Sequence, residues 1–352
     1  MTKRVEWLDS LRGVAAIMVM IMHIWETLIV TFPAEINGNI KTTLNYLILD
    51  FLNFGKIGVG AFFFVSGYVI PYSLIGKNLQ TFAISRLFRL YPAYWFSLLL
   101  FVFVAGMPPL IQLLGNLTML QKFLGIEDLI GVYWTLQIEL IFYAVCAMMF
   151  YFNKLEKPVF IYNATIFLLI VSLIMAALRY YMDKKLPVAL PLGLSIMFIG
   201  LIIRNLHTHN NNNKAIFKVV TLFIGFLLPI CFLAYNKDYG FNEKWYKYFT
   251  SYVLALEMFL IFNYKNWFNT ILLFFGRISY SLYLLHPIAA LMITPWILKK
   301  IPIISSPISF ALIGILISIL FAFLCFITIE NAFVRLGKKA ARYYNNNFIA
   351  KL

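Results

Sequence analysis

The stretch RVEWLDSLRGVAAIMVMIMH, residues 4–23, decides the fold class, because charged side chains stand directly before a long apolar run. Asp9 and Arg12 precede that run, and His23 lies deep inside it. An α-helix turns about 100° per residue, so the step from Arg12 to His23 completes about three turns plus about 20°. Arg12 and His23 therefore share one face of the predicted helix, and Asp9 lies within about 40° of that face.

The depth of His23 is the unusual feature of this helix. At about 1.5 Å of rise per residue, His23 lies about 16 Å beyond Arg12, near the midplane of a hydrocarbon core about 30 Å thick. An imidazole with little water around it favours its neutral form, and a neutral imidazole can accept a proton. A histidine that only hydrogen-bonds a neighbouring helix is the structural alternative; the face shared with Arg12 and Asp9 favours a functional role.

The composition excludes a water-soluble protein. Hydrophobic residues make up 62% of 352 positions and charged residues 12%, and the mean hydropathy is +0.85. The pattern predicts an all-α, polytopic integral membrane helical bundle with about ten transmembrane helices. The first apolar run is too long for a signal-peptide core, so we expect a retained helix. The predicted spans are 13–32, 57–75, 90–106, 132–152, 159–179, 188–204, 215–235, 248–264, 277–298 and 307–330.

The distribution of lysine and arginine predicts the orientation. With the N-terminus inside, 18 of the 29 basic residues fall in cytoplasmic segments, so both termini are predicted to be cytoplasmic. The net charge of +15 is spread over short inside loops, and we therefore expect no nucleic-acid partner. We expect a multi-pass protein of a bacterial inner membrane. Its transmembrane domain is predicted over 1–334, and a basic tail over 335–352 is expected to lie on the lipid of the inner leaflet.

Two arginines mark the entrance of the third predicted span, in the sequence SRLFRLYPAYW, residues 85–95. Arg86 and Arg89 are three residues apart, and Pro92 suits the first turn of a helix. The N-terminus of a helix offers free N–H donors and positive dipole, so two arginines there would form an anion site. Ordinary anchoring by positive charge is the alternative. Two forked guanidinium groups, where lysine would serve orientation equally well, favour phosphate recognition.

A carboxylate enters the fourth predicted span from the opposite surface. Glu139, in GVYWTLQIELIFY (131–143), is expected about 10 Å below that surface, with Tyr143 one turn further along the same face. Glu139 either pairs structurally with an arginine or a tyrosine, or orients the hydroxyl group of an acceptor. Glu257, in the eighth predicted span, is a further buried acid without a readable partner.

Small and polar residues in two other spans have mainly structural interpretations. Ser66 and Gly67 lie in GVGAFFFVSGYVI (58–70), where small side chains let helices approach closely. A serine nucleophile would need a base in contact with it. In GRISYSLYLLHPI (276–288), His286 shares a face with Tyr283. Pro287 frees a backbone carbonyl, so a kink stabilised by polar side chains is the favoured interpretation.

The three cysteines give no sign of a metal or a disulfide framework. Cys146, Cys231 and Cys325 each fall within a predicted span and form no CxxC pair. No metal site is predicted.

Five blocks of the sequence, taken in order, resemble the membrane acyltransferase-3 family of integral-membrane O-acyltransferases. They are LDSLRGVAAIMVMIMH (8–23), FFFVSGYVI (62–70), RLFRLYP (86–92), YWTLQIELIFY (133–143) and ISYSLYLLHPI (278–288). The resemblance is dense over the first 145 residues and thin beyond them. It implies transfer of an acyl group, commonly acetyl, from cytoplasmic acyl-coenzyme A to a hydroxyl of a surface polysaccharide such as lipopolysaccharide O-antigen.

The resemblance also implies roles for single residues. The essential histidine and arginine of the family correspond to His23 and Arg12, the paired arginines to Arg86 and Arg89, and the carboxylate to Glu139. We therefore expect a catalytic set of His23, Arg12, Asp9 and Glu139. The acyl donor, acetyl-CoA, is expected to bind Arg12, Arg86, Arg89, Ser66 and Tyr68, and the other partner is a glycan or glycolipid acceptor.

The residues support one mechanism and leave one rival. The arginines suit the phosphates of coenzyme A, and His23 can take the proton of an attacking hydroxyl, with Asp9 or Arg12 tuning its surroundings. The rival is a glycan or lipid transporter whose buried charges line a pathway. No inverted repeat is visible, and Arg12 and His23 form one continuous stripe, so we favour the enzyme.

Overall fold

The computed structural model describes residues 5–74, 78–209, 213–239 and 242–349, and this part of the chain is helical, with no strand. The predicted all-α fold is confirmed. The α-helices are α1 (Glu6–Thr31), α2 (Gly38–Asn45), α3 (Phe54–Val69), α4 (Leu79–Ala105), α5 (Leu110–Leu117), α6 (Trp134–Tyr151), α7 (Pro158–Met182), α8 (Ala189–His209), α9 (Asn213–Tyr235), α10 (Trp245–Lys265), α11 (Thr270–Ile288), α12 (Thr294–Lys300), α13 (Pro307–Cys325) and α14 (Asn331–Ile349). Helices α2, α11 and α13 each continue into a π-helical turn, at Tyr46–Asp50, Ala289–Ile293 and Phe326–Glu330.

Within the described ranges, nine helical segments are long and apolar enough to cross a membrane, which confirms a polytopic bundle. The eighth predicted span, 248–264, coincides with α10, which packs against α3 and α9 but is not among the nine segments. Its first two turns, WYKYFTS (245–251), are too polar to read as a membrane segment. Glu257 of α10 is exposed, so its prediction as a buried acid was wrong. The predicted cytoplasmic termini, at 1–4 and 350–352, lie outside the described residues.

The centre of the bundle is a parallel pair of helices that are distant in sequence. In α1, a Cβ at Gly13 would clash with the carbonyl oxygen of Leu272, and in α11 a Cβ at Gly276 would clash with that of Asp9. Two backbones therefore touch where side chains are absent. From this contact, ten further residues along each helix lead to His23 and His286. Because parallel α-helices rise equally per residue, the two histidines arrive side by side.

A third central helix, α3, packs against α1 on one side and against α8 and α10 elsewhere. Gly67 lies against the backbone of α8, where a Cβ would clash with the carbonyl oxygen of Met197. Its place in the chain therefore reflects close helix packing, as its sequence indicates. The neighbouring Ser66 points the other way, toward α6.

The basic end of the chain is part of the bundle. Helix α14 continues α13 through a π-helical turn and packs along α4, where a Cβ at Gly337 would press on the side chain of Phe88. The side chains of Asn78 and Asn345 are joined by a 3.3 Å hydrogen bond. The segment predicted as a tail over 335–352 is thus a helix that begins earlier, at Asn331, and its amphipathic character is used in part for packing. Residues 350–352 and the side chains of 346–349 lie outside the described part.

Candidate active site

A polar cavity lies between α1, α3, α4, α6 and α11. The volume of this cavity is about 80 Å³. The polar side chains that line it include Arg12, Ser66, Arg86, Arg89, Glu139 and Tyr143.

The three arginines reach the cavity from within their helices. Helix α4 begins at Leu79, where the side chain of Asn78 accepts a 2.8 Å hydrogen bond from the Thr81 N–H. Arg86 and Arg89 therefore lie two to three turns inside α4, and Pro92 lies in its interior. The prediction that they sit at a helix N-terminus was wrong, because the cap at Asn78 starts the helix earlier. Their anion-binding capacity rests on the guanidinium groups alone.

Within the described ranges, these guanidinium groups have no direct carboxylate partner. The ion pairs among the described residues lie elsewhere, at Lys122, Arg179, Lys237, Lys244 and Lys247. The side chain of Arg86 also has unused hydrogen-bonding capacity, because its Nε is buried and has no hydrogen-bond partner within the described ranges. A buried donor without an acceptor is costly, so an anionic group in the cavity would satisfy it.

Three carboxylates stand further from these arginines and balance their charge. Asp9, Glu139 and Glu330 all lie within electrostatic range of Arg12 and of Arg89. Glu330 is 7% exposed and accepts a 2.7 Å hydrogen bond from the hydroxyl of Ser281. Three positive and three negative groups together make the site tolerable inside a membrane protein.

Glu139 lies in the same cavity as the arginines. Its Oε1 accepts hydrogen bonds from the Tyr143 hydroxyl at 2.6 Å and from the Ser66 hydroxyl at 3.3 Å. We expected Glu139 near the opposite boundary, apart from Arg86 and Arg89. Those arginines lie deeper than predicted, and Glu139 is more than a turn into α6, so groups that enter from opposite ends meet in the middle.

His23 lies next to the cavity and does not line it. Its Nδ1 is 3.0 Å from Nε2 of His286, and the two rings are 5.1 Å apart. Tyr283 separates this pair from the cavity: its ring is 6.2 Å from that of His286 and 5.7 Å from that of Phe62. The hydroxyls of Tyr283 and Thr135 are 2.7 Å apart. One aromatic layer therefore stands between the arginines and the imidazoles.

Besides His23, two further predicted residues, Tyr68 and Asp9, do not line the cavity. The ring of Tyr68 packs against Trp7 at 5.3 Å and Phe259 at 5.8 Å, and the guanidinium of Arg204 lies 5.3 Å from it. Tyr68 is thus part of an aromatic cluster on the other side of α3 from Ser66. Asp9 does not line the cavity but lies within electrostatic range of Arg12 and Arg89.

Two residues that the sequence did not assign now join the site. Glu330 could have been found, because it is the lone acid at the end of the apolar run FLCFITIE (323–330). The sequence indicates His286 as part of a kink. One feature of the sequence could have indicated that it pairs with His23. Gly13 precedes His23 by the same ten residues by which Gly276 precedes His286.

Comparisons with known proteins bear on the chemistry of this site. A sequence model of a family described as an acyltransferase domain, acyltransferase-3, matches residues 5–327. The protein named "Putative acetyltransferase ORF330" of Acidianus two-tailed virus is 23% identical to this chain over 288 residues, which cover 79% of this chain and 81% of that protein. No solved structure matches the chain.

Proposed function

The chain belongs to the acyltransferase-3 family, and from this premise we propose that it is a membrane O-acyltransferase that moves an acetyl group from acetyl-CoA to a hydroxyl of a surface polysaccharide. One observation carries the proposal. Arg12, Arg86 and Arg89 converge in a cavity with no direct carboxylate partner among the described residues, one aromatic layer away from the pair of His23 and His286. Such an arrangement suits a long donor with anionic groups at one end and a reactive group at the other.

The arginine side of the cavity is the site for the phosphates of the donor. Guanidinium groups bind phosphate oxygens through paired, charge-assisted hydrogen bonds, and the unpartnered Nε of Arg86 is such a donor. In this proposal the narrow thioester arm widens the cavity as it enters, while the nucleotide rests at the mouth of the cavity. Arg12 serves binding here, because about 16 Å of helix separates it from the chemistry at His23.

His23 is the general base of the proposed reaction. The acceptor hydroxyl gives its proton to His23 as its oxygen attacks the thioester carbonyl. The tetrahedral intermediate then loses the coenzyme A sulfur, which takes the proton from His23 and leaves as the free thiol. The products are an acetyl ester and coenzyme A. For the thioester to reach His23, the Phe62 and Tyr283 rings must let its arm pass.

The orientation follows from charge. Arg12, Arg86 and Arg89 share one end of the bundle with α14, which packs along α4 and contributes Arg335, Lys338, Lys339 and Arg342. This end faces the cytoplasm, where acyl-CoA is found, and both termini lie on that side of a bacterial inner membrane. The acceptor glycan approaches from the other side, as lipopolysaccharide O-antigen would.

The test is release of thiol from acetyl-CoA in membrane vesicles of the producing organism, which contain the acceptor. We expect His23→Ala to lower the rate by about 10²–10⁴-fold, the usual contribution of a general base, with normal insertion and folding. His207→Ala is the matched control, since His207 lies in α8 outside the cavity. Full activity of His23→Ala would overturn the mechanism. Absence of thiol release by the wild-type protein would favour a transporter, which cleaves no thioester.

A further inference from the structure

The imidazoles of His23, which is half-buried, and His286, which is buried, form an ordered chain of hydrogen bonds. Nδ1 of His286 lies 2.9 Å from the carbonyl oxygen of Leu282 in its own helix. Nε2 of His286 faces Nδ1 of His23 at 3.0 Å, and this Nδ1 also lies 3.1 Å from the carbonyl oxygen of Val19. Nε2 of His23 has no hydrogen-bond partner among the side chains and backbone that the structure describes.

The carbonyl groups at the two ends of this chain fix which nitrogen carries hydrogen in each ring. A carbonyl oxygen only accepts, so Nδ1 of His286 carries the hydrogen that Leu282 receives, and in a neutral ring Nε2 is then an acceptor. Nδ1 of His23 therefore faces two acceptors, Nε2 of His286 and the Val19 oxygen, and must carry a hydrogen itself. That assignment leaves the lone pair of His23 on Nε2.

We propose that His286 is a positioning residue, which holds His23 in its Nδ1–H tautomer and so presents Nε2 as the base. This role rests on the proposed function. His286 does not touch the acceptor or the thioester; its Nε2 receives the hydrogen bond that orients the ring of His23. The same principle operates wherever the hydrogen bond at one imidazole nitrogen determines the state of the other.

Proton transfer in this arrangement balances without any further reactant. The acceptor O–H bond breaks, and its proton goes to Nε2 of His23 while the oxygen forms the new C–O bond. His23 then carries hydrogen on both nitrogens, and Nδ1–H keeps its hydrogen bond to His286. When the C–S bond breaks, the sulfur takes the proton from Nε2, which restores the starting tautomer.

The surrounding structure holds His286 firmly. The residue is 1% exposed, and the contact between Gly13 and Gly276 sets the register of the two helices. A π-helical turn, Ala289–Ile293, follows directly after Pro287, and such turns are frequent at functional sites. The charged side chain of Lys56, from α3, lies within electrostatic range of His23. The phenol ring of Tyr283 lies next to the imidazole of His286.

Two substitutions at His286 distinguish a role in orienting His23 from a role in filling space between the helices. In His286→Gln, the side-chain oxygen can stand where Nε2 stood and accept the hydrogen bond from His23. In His286→Leu, volume is kept and the acceptor is lost. We expect His286→Leu to lower kcat for thiol release from acetyl-CoA about 10²-fold with KM for acetyl-CoA unchanged, and His286→Gln to stay within about 10-fold of wild type. Equal activity of the Leu and Gln variants would overturn the proposal.

A spectroscopic measurement reads the tautomer directly, without turnover. The chain contains four histidines, so ¹⁵N-histidine labelling of the full-length protein in lipid gives a tractable ring spectrum, and His23→Ala identifies the signal of His23. We expect the Nδ1–H form for His23 in the wild-type and His286→Gln proteins, and loss of this preference in His286→Leu. If His23 is in its Nε2–H form in the wild-type protein, the proposal is overturned.

The two failures are distinguishable. If His23→Ala is inactive while His286→Leu is fully active, the proposed function stands and the role of His286 falls. If the wild-type protein releases no thiol from acetyl-CoA, the proposed function falls, whatever tautomer the spectrum shows.

Discussion

The buried Arg179 and the half-buried cavity arginines have different surroundings in this protein. Arg179 of α7 forms a direct ion pair with Glu243, and both side chains are 5% exposed. Arg12, Arg86 and Arg89 line the cavity without such a pair, although their region contains carboxylates too. A guanidinium with a fixed partner ties two segments together, whereas one without a partner keeps its hydrogen-bonding capacity for an anion that arrives later.

The pair of Arg179 and Glu243 should contribute most to stability. Arg179→Met leaves Glu243 buried and unpaired, and we expect the free energy of unfolding to fall by about 3–5 kcal/mol. Chemical unfolding of the purified protein in detergent measures this loss. Glu243→Gln in the same background should recover part of it, which a double-mutant cycle shows. A loss below about 1 kcal/mol would show that the ion pair of Arg179 and Glu243 does not have the stabilising role that the comparison assigns to it.

The cavity arginines should show the opposite pattern. We expect Arg86→Gln or Arg89→Gln to raise KM for acetyl-CoA about 10–100-fold, since a hydrogen bond to a charged group contributes about 1.5–3 kcal/mol. The melting temperature should change little, because no ion pair is broken. Arg277→Gln, at an exposed position of α11, is the control. An unchanged KM, or an equal rise in the control, would count against a phosphate site.

Ser66 offers a finer test of what the cavity does. Its hydroxyl donates a long hydrogen bond, 3.3 Å, to Glu139. We expect Ser66→Ala to lower kcat/KM only about 2–5-fold, as loss of about 0.5–1 kcal/mol implies. A loss above about 10³-fold would show that Ser66 is itself acylated, and the direct transfer to the acceptor would have to be replaced by a two-step reaction.

The smallest effect is expected at the protein surface. Hydrogen bonds from the Tyr239 hydroxyl and Lys237 lower the pKa of Asp183, which is exposed beyond the end of α7. A lowered folded pKa stabilises the protein above the unfolded pKa, about 4, and this contribution is lost as the pH falls through the folded pKa. The small difference in melting temperature between wild type and Asp183→Asn should shrink further from about pH 6 to about pH 3. A difference that grows toward low pH would contradict this.

The sequence predicts the elements of the site better than their depth. The helix that carries Arg12 and His23 follows from periodicity alone, and the apolar runs place the spans within several residues. The predicted depth of Arg86 and Arg89 was wrong, because the prediction takes Pro92 as the start of the helix, whereas the helix begins at the cap formed by Asn78. A proline is compatible with a helix interior when neighbouring helices support it.

Contacts between distant helices explain what the sequence could not supply. His23 and His286 are joined by the packing of α1 on α11, and a glycine contact of this kind depends on the register of both helices. Glu330 reaches Ser281 and the arginines only because the chain passes through a π-helical turn at that point. Periodicity describes one helix at a time, and neither relation is a property of one helix.

The parallel contact of α1 with α11 has a consequence for synthesis of the protein. His23 enters the membrane with the first helix, and its hydrogen-bond partner follows 263 residues later. Until α11 is inserted, the imidazole of α1 faces lipid or water with no ring beside it, and the groove for Gly276 is empty. A chain arrested before its last helices are made carries all three cavity arginines and still lacks the pair of His23 and His286. Under the proposed function, activity therefore requires completion of the whole bundle.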